Sequence, residues 1–73
     1  MSTTCMVVNR PLGIYNGPTD QATHLGNFPP GHQLSFNQKV NGKRLDGDNP
    51  YWGHHSDREN FYFWLGGTDH PRG

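Results

Sequence analysis

The sequence is short of most of what stabilises or diversifies a larger protein. Its 73 residues include a single cysteine, Cys5, and the formal net charge is zero. Leu, Ile, Val and Phe together number 13. Each shortage excludes something. One thiol makes no internal disulfide, so a disulfide-stapled secreted scaffold is out. No apolar run approaches the roughly 18 residues of a membrane span, so membrane insertion is not expected. Residues 1–6 have neither the basic region nor the apolar stretch of a signal peptide. Six basic side chains balance six acidic ones, which argues against bulk binding to nucleic acid or to an anionic membrane. Of the basic residues only Lys39, Lys43 and Arg44 lie close together, and a solvated loop accounts for that trio.

Few aliphatic residues raise the question of disorder, but disorder also favours high net charge and few aromatic rings. This chain is neutral and has nine rings among Phe, Tyr and Trp. It reads as one domain over residues 1–73, with a small, aromatic-weighted core over about 5–68 and a loose tail at 69–73. A domain of this size buries only about 60% of its unfolded surface. A covalent neighbour or self-association into a homo-oligomer would supplement such a core.

Ten Gly, six Pro and seven Asn interrupt the chain every few residues. No window of helical apolar spacing is free of Gly or Pro, so helix beyond a single turn is not expected. Short runs rich in Val, Ile, Phe, Tyr and Trp between turn signals predict strands instead. Residues 5–9, 13–15 and 24–26 are the first three, the last ahead of a turn at Asn27-Phe28-Pro29-Pro30-Gly31. Residues 32–40 form the longest run, with Leu34 and Phe36 on one face and Gln33, Ser35 and Asn37 on the other. Asn41-Gly42 predicts a tight hairpin turn, and Asp46-Gly47-Asp48-Asn49-Pro50 a second turn. Residues 51–55 and 61–65 predict a closing hairpin around the polar connection 56–60. The fold class is therefore all-β: a small antiparallel barrel of about five to seven short strands.

Catalysis finds little support in the residues. No local motif surrounds Cys5, and nucleophilic chemistry needs a base and an orienting group beside the nucleophile. Asp20, Asp46, Asp48, Asp57, Glu59 and Asp69 all fall in predicted turns or the tail, where Asp ordinarily serves the turn. Metal binding fares no better, although five His are present. His54 and His55 are adjacent and so point to opposite faces of a strand. His24 and His32 merely flank the Pro-Pro turn. The Asp46-Gly47-Asp48-Asn49 stretch lacks the ligand ladder and bidentate Glu of a calcium loop. Neither enzyme activity nor a metal or cofactor is expected.

The informative feature is aromatic. In residues 61–65 alternation puts Phe61, Phe63 and Leu65 on one face, the core face, and Tyr62 and Trp64 on the other. A surface bearing Tyr and Trp calls for cover: a ligand that stacks on rings, a second copy of the domain, or loop residues folded over it. Rings beside Asn, His and Asp suit sugars and short peptides.

The order of short motifs is similar to that of a known family. Gly13-Ile14-Tyr15-Asn16-Gly17-Pro18 is followed by Leu25-Gly26-Asn27-Phe28-Pro29-Pro30-Gly31-His32-Gln33-Leu34. Then come Gly47-Asp48-Asn49-Pro50-Tyr51-Trp52-Gly53-His54 and Tyr62-Phe63-Trp64-Leu65-Gly66-Gly67-Thr68. Over about residues 7–68 this resembles the bacterial SH3-like (SH3b) cell-wall-binding domains of phage endolysins and autolysins. The loop region 38–48 is longer and more polar than in the shortest members. The resemblance implies an SH3-like barrel that binds peptidoglycan or a wall polymer and tethers the catalytic part of an endolysin to Gram-positive cells, performing no chemistry itself. It implies ligand contacts at Tyr15, Tyr51, Trp52, His54, Tyr62 and Trp64, with Asn16 and Asp48 as polar neighbours. Such a module would be made in the host cytoplasm and act at the wall, either as part of a longer enzyme or as a separate subunit. The alternative is an SH3-like module that binds a protein partner through the same rings. A small nucleic-acid-binding barrel is a third reading, opposed by the neutral charge.

Overall fold

The computed structural model describes residues 2–45 and 48–73. Six antiparallel strands follow one another: β1 (Thr3–Met6), β2 (Leu12–Tyr15), β3 (His24–Phe28), β4 (Gln33–Leu45), β5 (Asn49–His55) and β6 (Tyr62–Trp64). A single 3-10 turn, Leu65–Gly67, is the one helical element among the described residues. The strands form one sheet in the order β1-β4-β5-β6-β2-β3. The long strand β4 is the corner of the fold. Its first residues pair with β1 and the remainder with β5, with register shifts at Phe36/Gln38 and at Asn41/Leu45. Such irregularities increase local twist and let one strand serve two halves of a curled sheet. Past β6 the chain returns to β1, where Val7 bridges Thr68, Val8 N–H donates to the Gly67 carbonyl and Asp69 N–H to the Met6 carbonyl. The result is an all-β, curled antiparallel six-strand half-barrel, consistent with a small SH3-like barrel.

Alternation decides what each strand buries. Leu12 and Ile14 of β2, Leu34 and Phe36 of β4, and Phe63 of β6 point inward with Cys5, Val7 and Leu65. Phe28, Tyr51, Phe61 and Trp64 pack against the rim of this cluster. Thr68 is the one buried polar side chain among the described residues, and its hydroxyl donates to the Leu65 carbonyl at 2.7 Å. Every other buried side-chain N or O atom of the described residues is also hydrogen-bonded, which removes a large potential penalty from so small a core.

Several sequence expectations are corrected. Asn41-Gly42 is not a hairpin turn: β4 continues through it to Leu45, with its pairing to β5 shifted there. The glycine is needed for a different reason. A Cβ at residue 42 would collide with the Pro18 carbonyl and lie 2.8 Å from the Trp52 ring, because the 16–23 loop crosses β4 there. The chain turns back further on, and of that predicted turn Asp46 and Gly47 lie outside the described residues. Asp48 has φ 67°, the left-handed conformation that Asp tolerates in turns. Asn27 and Phe28, expected in a turn, belong to β3. The first strand occupies Thr3–Met6 rather than 5–9, since Pro11 and the left-handed Asn9 (φ 71°) end it early. Lys39, Lys43 and Arg44 sit on a strand rather than in a loop, and each has its own partner: the Tyr51 ring, Asp20 and Asp48. The terminal segment is also held. Asn49 donates to the Pro71 carbonyl at 2.7 Å and Lys39 to the Arg72 carbonyl at 3.0 Å.

Candidate functional site

The sheet face opposite the core carries the unusual residues. Cross-strand partners in an antiparallel ladder share a face. Trp52 stands opposite Trp64, His54 opposite Tyr62, and Tyr15 opposite Tyr62. One face therefore gathers Tyr15, Trp52, His54, Tyr62 and Trp64 from three neighbouring strands.

These five rings have different fates. Trp52 is 0% exposed. The 16–23 loop covers it: Lys43 N–H donates to the Pro18 carbonyl at 2.9 Å, Lys43 Nζ pairs with Asp20 at 2.9 Å, and the Trp52 indole N–H donates to the Lys43 carbonyl at 2.9 Å. Trp52 is thus a buried ring outside the main core cluster, on which the outer face rests. His54 is half-buried with both ring nitrogens engaged. Nε2–H donates to the Glu59 carbonyl at 2.6 Å and Nδ1 meets the Asn37 side chain at 2.9 Å. It braces the β5–β6 connection, and Tyr62 packs its ring edgewise against it at 5.1 Å. Tyr15, Tyr62 and Trp64 are half-buried like His54.

The other proposed contacts lie elsewhere. Tyr51 points to the opposite face, against the core, with Lys39 Nζ 4.7 Å above its ring. Asn16 closes the 16–23 loop: its side-chain oxygen accepts from Thr23 N–H at 3.1 Å. Asp48 is held at the turn by Arg44 at 3.3 Å. The structure brings Tyr15 and Trp64 together and leaves Tyr51, Asn16 and Asp48 apart from them.

Tyr15 and Trp64 border a pocket of about 290 Å³ that runs between β2 and the end of β4. Its apolar wall is Pro11, Leu12 and Leu45, with Trp52 beneath. Arg10 and Asp20 add one charge of each sign at the rim. Both rings are fixed from behind. The indole N–H of Trp64 donates to the Asn49 carbonyl at 2.9 Å, and Gly66 lies so close to the indole that a Cβ there would overlap it. Tyr15 lies over Gly13, where a Cβ would come within 3.0 Å of the phenol ring. The same ring meets Trp52 edge-on at 6.0 Å and His24 at 5.1 Å. Arg10, Leu12, Asp20 and Leu45 were not legible as site residues. They come from three separate segments, and Asp20 reads as an ordinary turn former.

Among the described residues no group of three or more His, Cys, Asp or Glu is arranged to hold a metal ion. Cys5 is buried, and that burial pushes its thiol up to about 11, against a smaller opposing effect of the hydrogen bond with Thr68. A thiol held protonated is a poor nucleophile. Compared with protein-family models, curated proteins and solved structures, the chain matches none.

Proposed function

We propose that this chain is a non-catalytic binding module whose aromatic face docks on bacterial cell wall, either peptidoglycan or a polymer attached to it. The observation that carries the reading is the group of half-buried rings Tyr15, Tyr62 and Trp64 on one sheet face, with two of them bordering a pocket. Fixed rings beside a few polar groups bind ligands that present apolar faces and hydroxyls or amides together. The motif order similar to SH3b domains adds the biological setting: a module that concentrates the catalytic part of an endolysin at the wall of Gram-positive cells. A fluorescent fusion of the chain tests it. It should coat Gram-positive cells from at least one species of a broad panel, and failure to coat any would remove the reading.

One observation favours a second reading, a module for a protein partner. β3 pairs only with β2, its five residues carry no Lys or Glu, and Leu25 on it is 44% exposed. An open, uncharged edge accepts another extended strand, from a partner or from a second copy. Retention of a host protein on the immobilised chain, lost on Leu25→Lys and with no retention of walls, would select it.

A further inference from the structure

The pocket between Tyr15 and Trp64 has a composition more specific than an aromatic surface. We infer that it is a subsite for one neutral sugar ring, a single pyranose. The inference rests on the wall-binding reading for the source of that sugar.

Size comes first. Sites for drug-sized ligands span about 300–1,000 Å³. At about 290 Å³ this pocket sits at the bottom of that range and suits one six-membered ring rather than a chain of them. Shape and rigidity come second. A pyranose presents a flat patch of C–H groups that packs on an aromatic plate, and affinity gains when the plate needs no ordering on binding. Trp64 is such a plate, pinned at its N–H by Asn49 and backed by Gly66. Tyr15 is a second one, backed by Gly13 and braced by Trp52.

Hydrogen-bonding capacity narrows the class. Arg10 at the rim supplies donors, and Asp20 supplies acceptor oxygens. Asp20 is itself held by Lys43, so its carboxylate is already compensated. Adjacent hydroxyls both donate and accept, and a neutral polyol meets both rim groups at once. An extended peptide is disfavoured for a topological reason. β2, β5 and β6, which contribute Tyr15, Trp52 and Trp64, are each paired on both sides and offer no free strand edge. A peptide there would leave its own amides and carbonyls without partners.

The test is a nuclear magnetic resonance titration of the intact chain with glucose, galactose, rhamnose and N-acetylglucosamine, with glucuronate, glucosamine and triglycine alongside. At least one neutral sugar should give saturable shifts at millimolar concentration in the Trp64 indole N–H and the amides of Gly13 and Gly67. Asp20→Asn, an exposed change, should weaken that binding at least about fivefold, the order of one charge-assisted hydrogen bond. Trp64→Phe should weaken it while leaving the amide spectrum dispersed. No saturable shift with any neutral sugar, or equal or stronger shifts with triglycine, glucuronate or glucosamine, overturns the inference. Walls bound by a chain whose pocket ignores sugars would remove the subsite and leave the wall-binding reading standing. Sugars bound by a chain that ignores walls would remove that reading and keep the subsite.

Discussion

Trp52 and Trp64 stand directly opposite each other on β5 and β6, yet Trp52 is 0% exposed and Trp64 borders an open pocket. Register gives them the same face. The 16–23 loop separates their roles by closing over one and stopping short of the other. Trp52→Ala should therefore act on stability, at about 3–5 kcal/mol for a large buried ring. Trp64→Phe should change stability much less and reduce ligand binding. Urea unfolding of the two variants beside the wild-type chain checks the split.

The loop stays closed because residue 42 has no side chain. Gly42→Ala should destabilise the domain by about 1–3 kcal/mol, since a methyl there meets a backbone carbonyl that has no flexible way to yield. Gly26→Ala is the control. It has open space around the added carbon and a φ that is not positive, and its cost should be far smaller. Thermal melts of both variants measure the difference.

The sequence was informative where one local rule governs the outcome. Alternation placed Phe63 in the core and Tyr62 and Trp64 on the other face, and the short loop after His55 announced the β5–β6 hairpin. It misled where a distant segment decides. Asn41-Gly42 has the residues of a turn, but its role is set by Pro18, 24 positions earlier, whose carbonyl passes over it. Nothing local announces that the 16–23 loop covers Trp52. The pocket was illegible for the same reason: Arg10, Asp20 and Leu45 meet only through the closed topology.

Cys5 should resist modification while the domain is folded. Its thiol is 2% exposed and pushed up to about 11 by burial, so almost no thiolate forms near neutral pH. Alkylation by iodoacetamide at pH 8 should follow the rate of unfolding and accelerate sharply in denaturant. Rapid labelling of the native chain would contradict the packing around β1.

His55 makes the fold sensitive to acid. Burial against Phe61 and Phe63 lowers its pKa, more than nearby Asp57 raises it, and its Nδ1 accepts the Asp57 N–H at 3.1 Å. A proton on Nδ1 breaks that bond and leaves a charge against two rings. Because the folded value lies below the unfolded one near 6.5, the stabilisation is complete above pH 6.5 and is lost as pH falls through the folded value. Denaturation midpoints should fall as pH drops below 6.5, and His55→Gln should flatten that slope. An unchanged slope would assign the acid response to other groups.

Co-sedimentation with purified Gram-positive cell walls addresses the central claim most directly, comparing the wild-type chain with Tyr15→Ala, Trp64→Ala and Tyr51→Ala, each first shown to be folded. The account predicts that Tyr15→Ala and Trp64→Ala weaken wall binding by about tenfold or more, the size of a loss at an aromatic hot spot. Tyr51→Ala, on the opposite face, should leave it nearly unchanged. Full binding by the Tyr15 and Trp64 variants, or loss confined to Tyr51→Ala, would contradict the assignment of this face as the docking surface.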